Sequence, residues 1–421
     1  MSFRFLLSHA MGNANVREAL TALHEHDLLA EYWTTIRWNP ESAVNAILPG
    51  RVRAELNRRS YPQVPRHLVH TQSWREVARL LALRAGGGQW TRRNESFLSV
   101  ASVCYALDRA AAKRIERGGI DAVYAYEDGA LETFRAARCQ GINTVYELPT
   151  AHWKYKRELL MEEAELCPGW ADTITCGEDS EEKTDRKDAE LELADLILVP
   201  CHYLIETLPE SIRHGTRIQV CPYGAPPVAI RARAARHSKL RVLFVGALTQ
   251  GKGLAYLLRA LHQVDSVVEV TLIGSRVGTC AELDEALARY RYIPTLPHSQ
   301  VLAEMEKHDV LVFPSLTEGY GLVILEALSR GLPVITTRNT GGPEVIRDGC
   351  EGYFVPVRSA DAIAEKLERL AGDRDLLEAM SEAALERAQE CTWQKYRELL
   401  ASILEQVMKP VEDSSCAQDQ H

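Results

Sequence analysis

Glu318 and Glu326 stand eight residues apart in LTEGYGLVILEA, and Gly319-Tyr320-Gly321 follows directly on the first. Ahead of them, HDVLVFPS (308–315) is a short β-rich run ending in Pro and Ser. Behind them, GLVILEALSRG (321–331) has helical spacing and stops at Gly331. The order is therefore strand, loop, helix. A helix start presents unpaired N–H groups and the positive end of the dipole, which suit a phosphate, and Gly319 and Gly321 let the backbone approach it. With a rise of about 1.5 Å per residue, Glu326 lies roughly 8 Å along from the turn, its side chain leaning back toward it. The two carboxylates can then grip different parts of one ligand, Glu326 a nucleoside ribose and Glu318 the group beyond a diphosphate. The same pattern also fits a plain βα unit with solvated carboxylates, so the rest of the chain has to decide.

A second phosphate-suited turn lies upstream. In VGALTQGKGLAYLL (245–258), Gly246 and Gly251-Lys252-Gly253 sit between a strand and a helix, and Lys252 would aim a cation at the same carboxyl edge of the sheet. The segment nearly matches the phosphate-loop pattern GxxxxGK[ST], but Gly253 occupies the place of the magnesium-binding hydroxyl, which weakens a nucleotidase reading. Gly341-Gly342, with Glu344 opening a short helix, is either a third ligand-side turn or a glycine-rich connection. In SHAMGNANVREAL (8–20), Gly12, Asn13 and Asn15 suit either a helix cap or a Gly12 amide beside a diphosphate. His152, in ELPTAHW, is either an incidental loop histidine or a group that positions a donor sugar or an acceptor hydroxyl. Glu127 and Asp128 end DAVYAYED in a similar place. Asp373-Arg374-Asp375 is the one DxD, and it reads as a helix cap with acidic first-turn residues rather than a metal site.

These segments need elements to hold them. The chain has 421 residues, 46% hydrophobic and 25% charged, with net charge −9. That length suits two α/β domains, and the charge argues against general nucleic-acid binding. From residue 240 onward, strand-like and helix-like runs alternate, which implies a parallel sheet covered on both faces; the N-terminal half does the same less regularly. The expected division is an N-terminal Rossmann-like domain at 1–225, a linker at 226–239 and a C-terminal Rossmann-like domain at 240–390. A C-terminal helix at 391–409, packing back on the first domain, and a disordered tail at 410–421 complete it. The ligand site is expected in a cleft between the domains, at the carboxyl ends of the strands. Ten cysteines occur singly, with no CxxC, and read as reduced thiols of a cytosolic protein. No signal peptide is apparent, and no segment nears the roughly 18 apolar residues that span a bilayer.

Together, PSLTEGYGLVILEALSRGLPVITT (314–337), GGPEVIRDGCEGYFV (341–355), VGALTQGKG, ADLILVP and VCPYG resemble the family-4 glycosyltransferases, the group 1 glycosyl transferases of GT-B fold. The resemblance is strongest over about 240–390; in the first half it rests on fold order and the Gly12 loop. It implies two doubly wound Rossmann-like domains facing across a cleft and a nucleotide-diphosphate sugar as co-substrate, with no other cofactor and no metal. It places Glu318 near the donor sugar and the reacting centre, with His152 as a further candidate there, and Glu326 on the ribose. Lys252, Gly246 and the amides of Gly319, Tyr320, Gly321 and Leu322 would hold the diphosphate, with Gly12 opposite. The mechanism implied is front-face transfer with retention, the departing phosphate oxygen accepting the acceptor's proton. One departure matters: many relatives carry Arg directly after the glycine of VG, where this chain has Ala247. Either another residue, such as Arg276, substitutes for it, or donor binding is weaker.

The expected function is transfer of a sugar from a nucleotide-diphosphate sugar to a glycan, lipid-linked or small-molecule acceptor, in bacterial-style polysaccharide assembly. The alternatives are an epimerase or degenerate sugar-nucleotide scaffold of the same fold and, more remotely, a P-loop-like nucleotidase. Residues 51–93 hold ten Arg against two Glu, with Trp74, Leu80, Leu81, Leu83 and Trp90 interleaved. This segment is either a solvated helical face or a docking surface for an anionic membrane or acceptor, which would make the protein cytoplasmic and peripheral to the membrane.

Overall fold

The computed structural model describes residues 3–87, 89–92, 96–175, 179–229 and 238–407. Most of the expected linker, at 230–237, and the expected tail, at 410–421, lie outside the described residues.

Short apolar runs form the strands, buried at the centre of each sheet and partly exposed at its edges, and helices with one apolar face connect them. In the first sheet, β1 (Phe5–Ser8), β2 (Leu29–Thr34), β3 (Val69–Thr71), β4 (Ala122–Tyr126), β5 (Asn143–Glu147), β6 (Leu196–Val199) and β7 (Arg217–Val220) run in the order β3-β2-β1-β4-β5-β6-β7. The pairings from β3 through β6 are parallel. The second sheet comprises β8 (Leu240–Val245), β9 (Val268–Ile273), β10 (Arg291–Ile293), β11 (Val310–Phe313), β12 (Val334–Thr336) and β13 (Gly352–Phe354). Its order is β10-β9-β8-β11-β12-β13, all parallel. Both sheets reverse direction of growth beside their first strand, and such switch points open a crevice at the carboxyl ends of the strands. In the second sheet the two strands flanking the switch are β8 and β11. The Lys252 loop follows the former and the Glu318 loop the latter.

By contact, the chain separates into two compact units that interleave in sequence. One holds Met1–Glu147, Asp185–Leu198 and the chain from Arg397; the other holds Leu148–Thr184 and Val199–Tyr396. The stretch 148–184, read from the sequence as N-terminal, thus groups with the second sheet, and specific bonds explain why. Trp170 Nε1 donates to Glu282 at 2.8 Å, and the Thr279 amide and hydroxyl donate to Asp172 at 2.7 and 2.6 Å. The Gln250 amide donates to Thr173 Oγ1 at 3.0 Å. Inside this stretch, the helix Trp153–Leu166 buries Leu160 and Glu163. The last helix, Trp393–Val407, begins in the second unit, where Trp393 and Tyr396 pack on Tyr223. Its remainder belongs to the first unit, where Arg397 pairs with Glu18 at 2.6 Å and Glu25 at 2.9 Å.

Candidate functional site

The loop after β8 is pinned to the loop after β11. Leu316 N–H donates to Gly251 O at 3.0 Å, and Gly253 adopts φ +73° where a Cβ would stand 2.1 Å from Pro314 O, so glycine is required there. This brings Lys252 onto Glu318. Their ammonium and carboxylate form an ion pair, and the Lys252 ammonium also lies 5.3 Å from the centre of the Phe313 ring. Burial, and after it the positive charge of Lys156, pulls the Lys252 pKa down to about 8.

Lys252, Glu318 and Gly319 line one cavity of about 260 Å³. Ala247, Thr249, Gly251, Val277 and Thr317 share its wall, and the opposite wall comes from 148–184: Thr150, Ala151, Lys156, Leu160 and Thr173–Thr175. Gly319 sets the fit between the walls. A Cβ there would stand 1.9 Å from Pro149 O, so the close backbone approach that this glycine permits is to the protein's own chain. Around the same loop, Glu318 N–H donates to Asn339 O at 3.0 Å, Tyr203 OH donates to Thr317 Oγ1 at 2.8 Å and Cys201 Sγ donates to Gly319 O at 3.2 Å. Burial pushes the Cys201 thiol up to about 12, so it remains a donor.

The other residues singled out from the sequence divide into several places. Gly321, at φ +80°, caps the helix Leu322–Ser329. The Tyr320 ring is buried edge-on against Tyr223, which leaves its backbone as the part able to meet a ligand. Glu326 lies on that helix and pairs with His298 Nε2 at 2.8 Å; the pairing raises the His298 pKa, and neither residue lines the cavity. Gly246 directly follows β8, with the Phe244 and Phe313 rings nearest to it. His152 caps the helix Trp153–Leu166 and is 3% exposed; its amide donates to Thr207 Oγ1 at 3.1 Å, and its neighbours Thr150 and Ala151 line the cavity. Gly12 lies in the first unit. A Cβ on it would meet the Tyr61 ring at 2.5 Å, and its carbonyl accepts from Arg17 Nε at 3.0 Å. Asn15 Nδ2 donates to Glu147 at 3.3 Å, and Asp128 N–H donates to Glu190 at 2.9 Å. Glu344 Oε1 accepts from the His202 amide at 2.9 Å, and Asp373 Oδ1 accepts from Leu376 N–H at 2.9 Å, a helix cap. Arg276 pairs with Asp284 at 2.5 Å, both well exposed, and is not a wall residue of the cavity.

Lys156 and the polar cluster behind it escaped the sequence reading. Glu163, fully buried, accepts from Gln250 Nε2 at 2.6 Å, Tyr256 OH at 2.9 Å and Arg358 Nε at 2.8 Å. No local signal marks it. The partners Glu163 and Gln250 are 87 residues apart, and only the fold brings them together.

Of the Arg-rich segment, Arg59 and Arg79 are bonded to Glu76, and Arg53 to the carbonyls of Ala46 and Leu48. Trp74, Val77 and Leu81 share one exposed face of the helix Trp74–Arg84, and Trp90 and Phe97 are exposed nearby. Among the described residues, no helix is long and apolar enough to cross a membrane.

Comparison with known proteins bears on the family likeness and the fold. Over residues 229–387 the chain matches the family model described as glycosyl transferases group 1. It is 33% identical over 181 residues to a D-inositol 3-phosphate glycosyltransferase of Corynebacterium diphtheriae, covering 40% of this chain and 42% of that protein. It is 30% identical over 210 residues to the amylovoran biosynthesis glycosyltransferase AmsK of Erwinia amylovora, covering 45% and 51%. The chain thus matches about half the length of these relatives. Among solved structures, sucrose-phosphate synthase from Thermosynechococcus elongatus is similar with a TM-score of 0.62 at 16% identity, over 96% of this chain and 99% of that one. Anabaena HepE in complex with UDP gives 0.59 at 15%, over 96% and 100%. These likenesses show the fold, GT-B with two Rossmann-like domains. The family match covers residues 229–387, the stretch that holds the Lys252 and Glu318 loops, and over that stretch the chain is similar to the group 1 glycosyl transferases.

Proposed function

We propose that this protein is a retaining, metal-independent glycosyltransferase that takes a sugar from a nucleotide-diphosphate sugar and passes it to a glycan, lipid-linked or small-molecule acceptor. The observation that carries this reading is the Lys252–Glu318 pair, held at the switch point of the second sheet on the wall of a cavity. A diphosphate entering there displaces Glu318 from the ammonium and takes its place. Glu318 is then free to face the sugar, while Lys252 and the amides from Gly319 to Leu322 neutralise the charge that grows on the leaving phosphate. That is where preorganised donors lower a barrier most. The bond from the sugar's anomeric carbon to the phosphate oxygen breaks as the bond to the acceptor oxygen forms on the same face. The acceptor's proton goes to the departing phosphate. Lys252 and the helix start supply the positive charge, so the step needs no metal.

The names of two relatives support a small-molecule or a glycan acceptor, one being a D-inositol 3-phosphate glycosyltransferase and the other a glycosyltransferase of amylovoran biosynthesis. Glu326 would hold the ribose after releasing His298. His152 would sit near the reacting centre. The exposed Trp74, Leu81, Trp90 and Phe97, amid arginines such as Arg58 and Arg84, support a cytoplasmic enzyme docked on an anionic membrane face. Vesicle flotation tests this part: binding to anionic vesicles should be lost on Trp74→Ala/Phe97→Ala, and equal flotation of both proteins would remove it.

The transfer itself is tested by following product formation from a set of UDP-, GDP- and ADP-sugars in the presence of EDTA, with the new linkage assigned by NMR. The reading expects turnover with one donor and the donor's anomeric configuration kept. Inverted configuration, or turnover only with added metal, would contradict it.

A further inference from the structure

The cavity gives a diphosphate Lys252, yet Ala247 contributes only a methyl group to the wall where many relatives have a cation. Arg276 does not make up the deficit, being paired with Asp284 away from the wall. Lys156 does line the cavity, and its charge is felt at Lys252. Among the described residues, no carboxylate forms an ion pair with it.

The position of Lys156 is built rather than incidental. Lys156 and Leu160 are one turn apart on the helix Trp153–Leu166, and both line the cavity. Glu163 continues that face and is fully buried in its cluster with Gln250, Tyr256 and Arg358. Gln250 opens the turn that carries Lys252, and its own Oε1 accepts from Ala255 N–H at 2.8 Å. A saturated, buried polar cluster of this kind fixes the two elements it joins. The helix bearing Lys156 and the loop bearing Lys252 are therefore held together on one cavity. Two ammonium groups kept near each other repel, and Glu318 offers a counter-charge to one of them only. The arrangement favours a ligand with two adjacent negative groups.

We propose that Lys156 is the second cation of the donor site, binding the diphosphate of the nucleotide from the side of the 148–184 stretch and standing in for the arginine that Ala247 replaces. The proposal rests on the donor reading above. Its ligand is a nucleoside diphosphate or the sugar conjugate of one.

The test is calorimetric titration, in EDTA, of UDP, GDP and ADP and of the corresponding monophosphates. The proteins are the wild type, Lys156→Ala, Lys156→Arg and Lys156→Ala/Ala247→Arg. Lys156→Ala should weaken the diphosphate by about tenfold, equivalent to about 1.4 kcal/mol, and leave the monophosphate nearly unchanged. Lys156→Arg should retain most of the affinity, and Ala247→Arg should restore part of what Lys156→Ala loses. Unchanged diphosphate affinity in Lys156→Ala, or equal losses for mono- and diphosphate, would overturn the proposal. If the wild type bound no nucleoside diphosphate, the donor reading would fall and this assignment with it. That result appears in the wild-type arm alone and is separable from the others.

Discussion

Lys252 and Glu318 neutralise each other on the wall of the cavity, so the site carries its own counter-charge. A diphosphate must take the ammonium away from the carboxylate, and part of its binding energy goes into opening that pair.

Glu318→Gln separates binding from chemistry. The variant keeps the shape but removes both the competitor for Lys252 and the negative charge facing the ligand, so a nucleoside diphosphate should bind severalfold more tightly. Sugar transfer should fall by about 10²-fold or more, because Glu318 faces the reacting centre. Calorimetry and product assays on the same preparation check this; weaker binding in the variant would contradict it.

The pH profile of nucleotide binding should report Lys252. Its pKa is depressed, mainly by burial, to about 8, so the ammonium is charged below that pH and loses its proton above it. A diphosphate stabilises the charged form, so binding takes up a proton above pH 8. The affinity should therefore be level below pH 8 and fall by up to about tenfold per unit above it, until the pKa of the complex is reached. Lys252→Arg, which stays charged, should flatten the profile. A wild-type affinity that stays level to pH 10 would contradict the role of Lys252.

Gly319→Ala should damage the site without touching any charge. The added methyl would meet Pro149 O at 1.9 Å, two backbone segments would have to part, and the walls of the cavity would shift. The expected cost is about 1–3 kcal/mol of stability with a marked fall in kcat/KM. Thermal melts and donor kinetics measure both.

Glu163→Ala should be among the most destabilising single changes in the second unit. It strips a fully buried carboxylate from Gln250, Tyr256 and Arg358 and leaves the guanidinium without that partner. A loss of about 3–5 kcal/mol is expected in urea denaturation. Glu163→Gln, which keeps most of the hydrogen bonds, should lose less.

Local pattern made much of this site legible. The run 308–331 folds as β11, a glycine turn and the helix Leu322–Ser329, because a continuous apolar run and a helical period are both properties of neighbouring residues. The meeting of Lys252 with Glu318 follows from parallel-sheet order, since both loops leave the carboxyl ends of adjacent strands. Long-range partners were not legible. Glu326 reads from its spacing as a free carboxylate, yet His298, 28 residues away, occupies it. Gly319 reads as room for a ligand, yet Pro149 O fills that room. The 148–184 stretch looks N-terminal by order along the chain, while its bonds to Glu282, Thr279 and Gln250 attach it to the second unit.

The most direct test of the central claim is a thermal-shift series on the purified protein in EDTA against UDP, GDP, ADP and their common sugar conjugates, with Lys252→Ala and Glu326→Ala alongside. The account predicts that one nucleoside diphosphate stabilises the wild type and that both variants lose most of that shift. No shift with any of them, or stabilisation by ATP and magnesium alone, would contradict it.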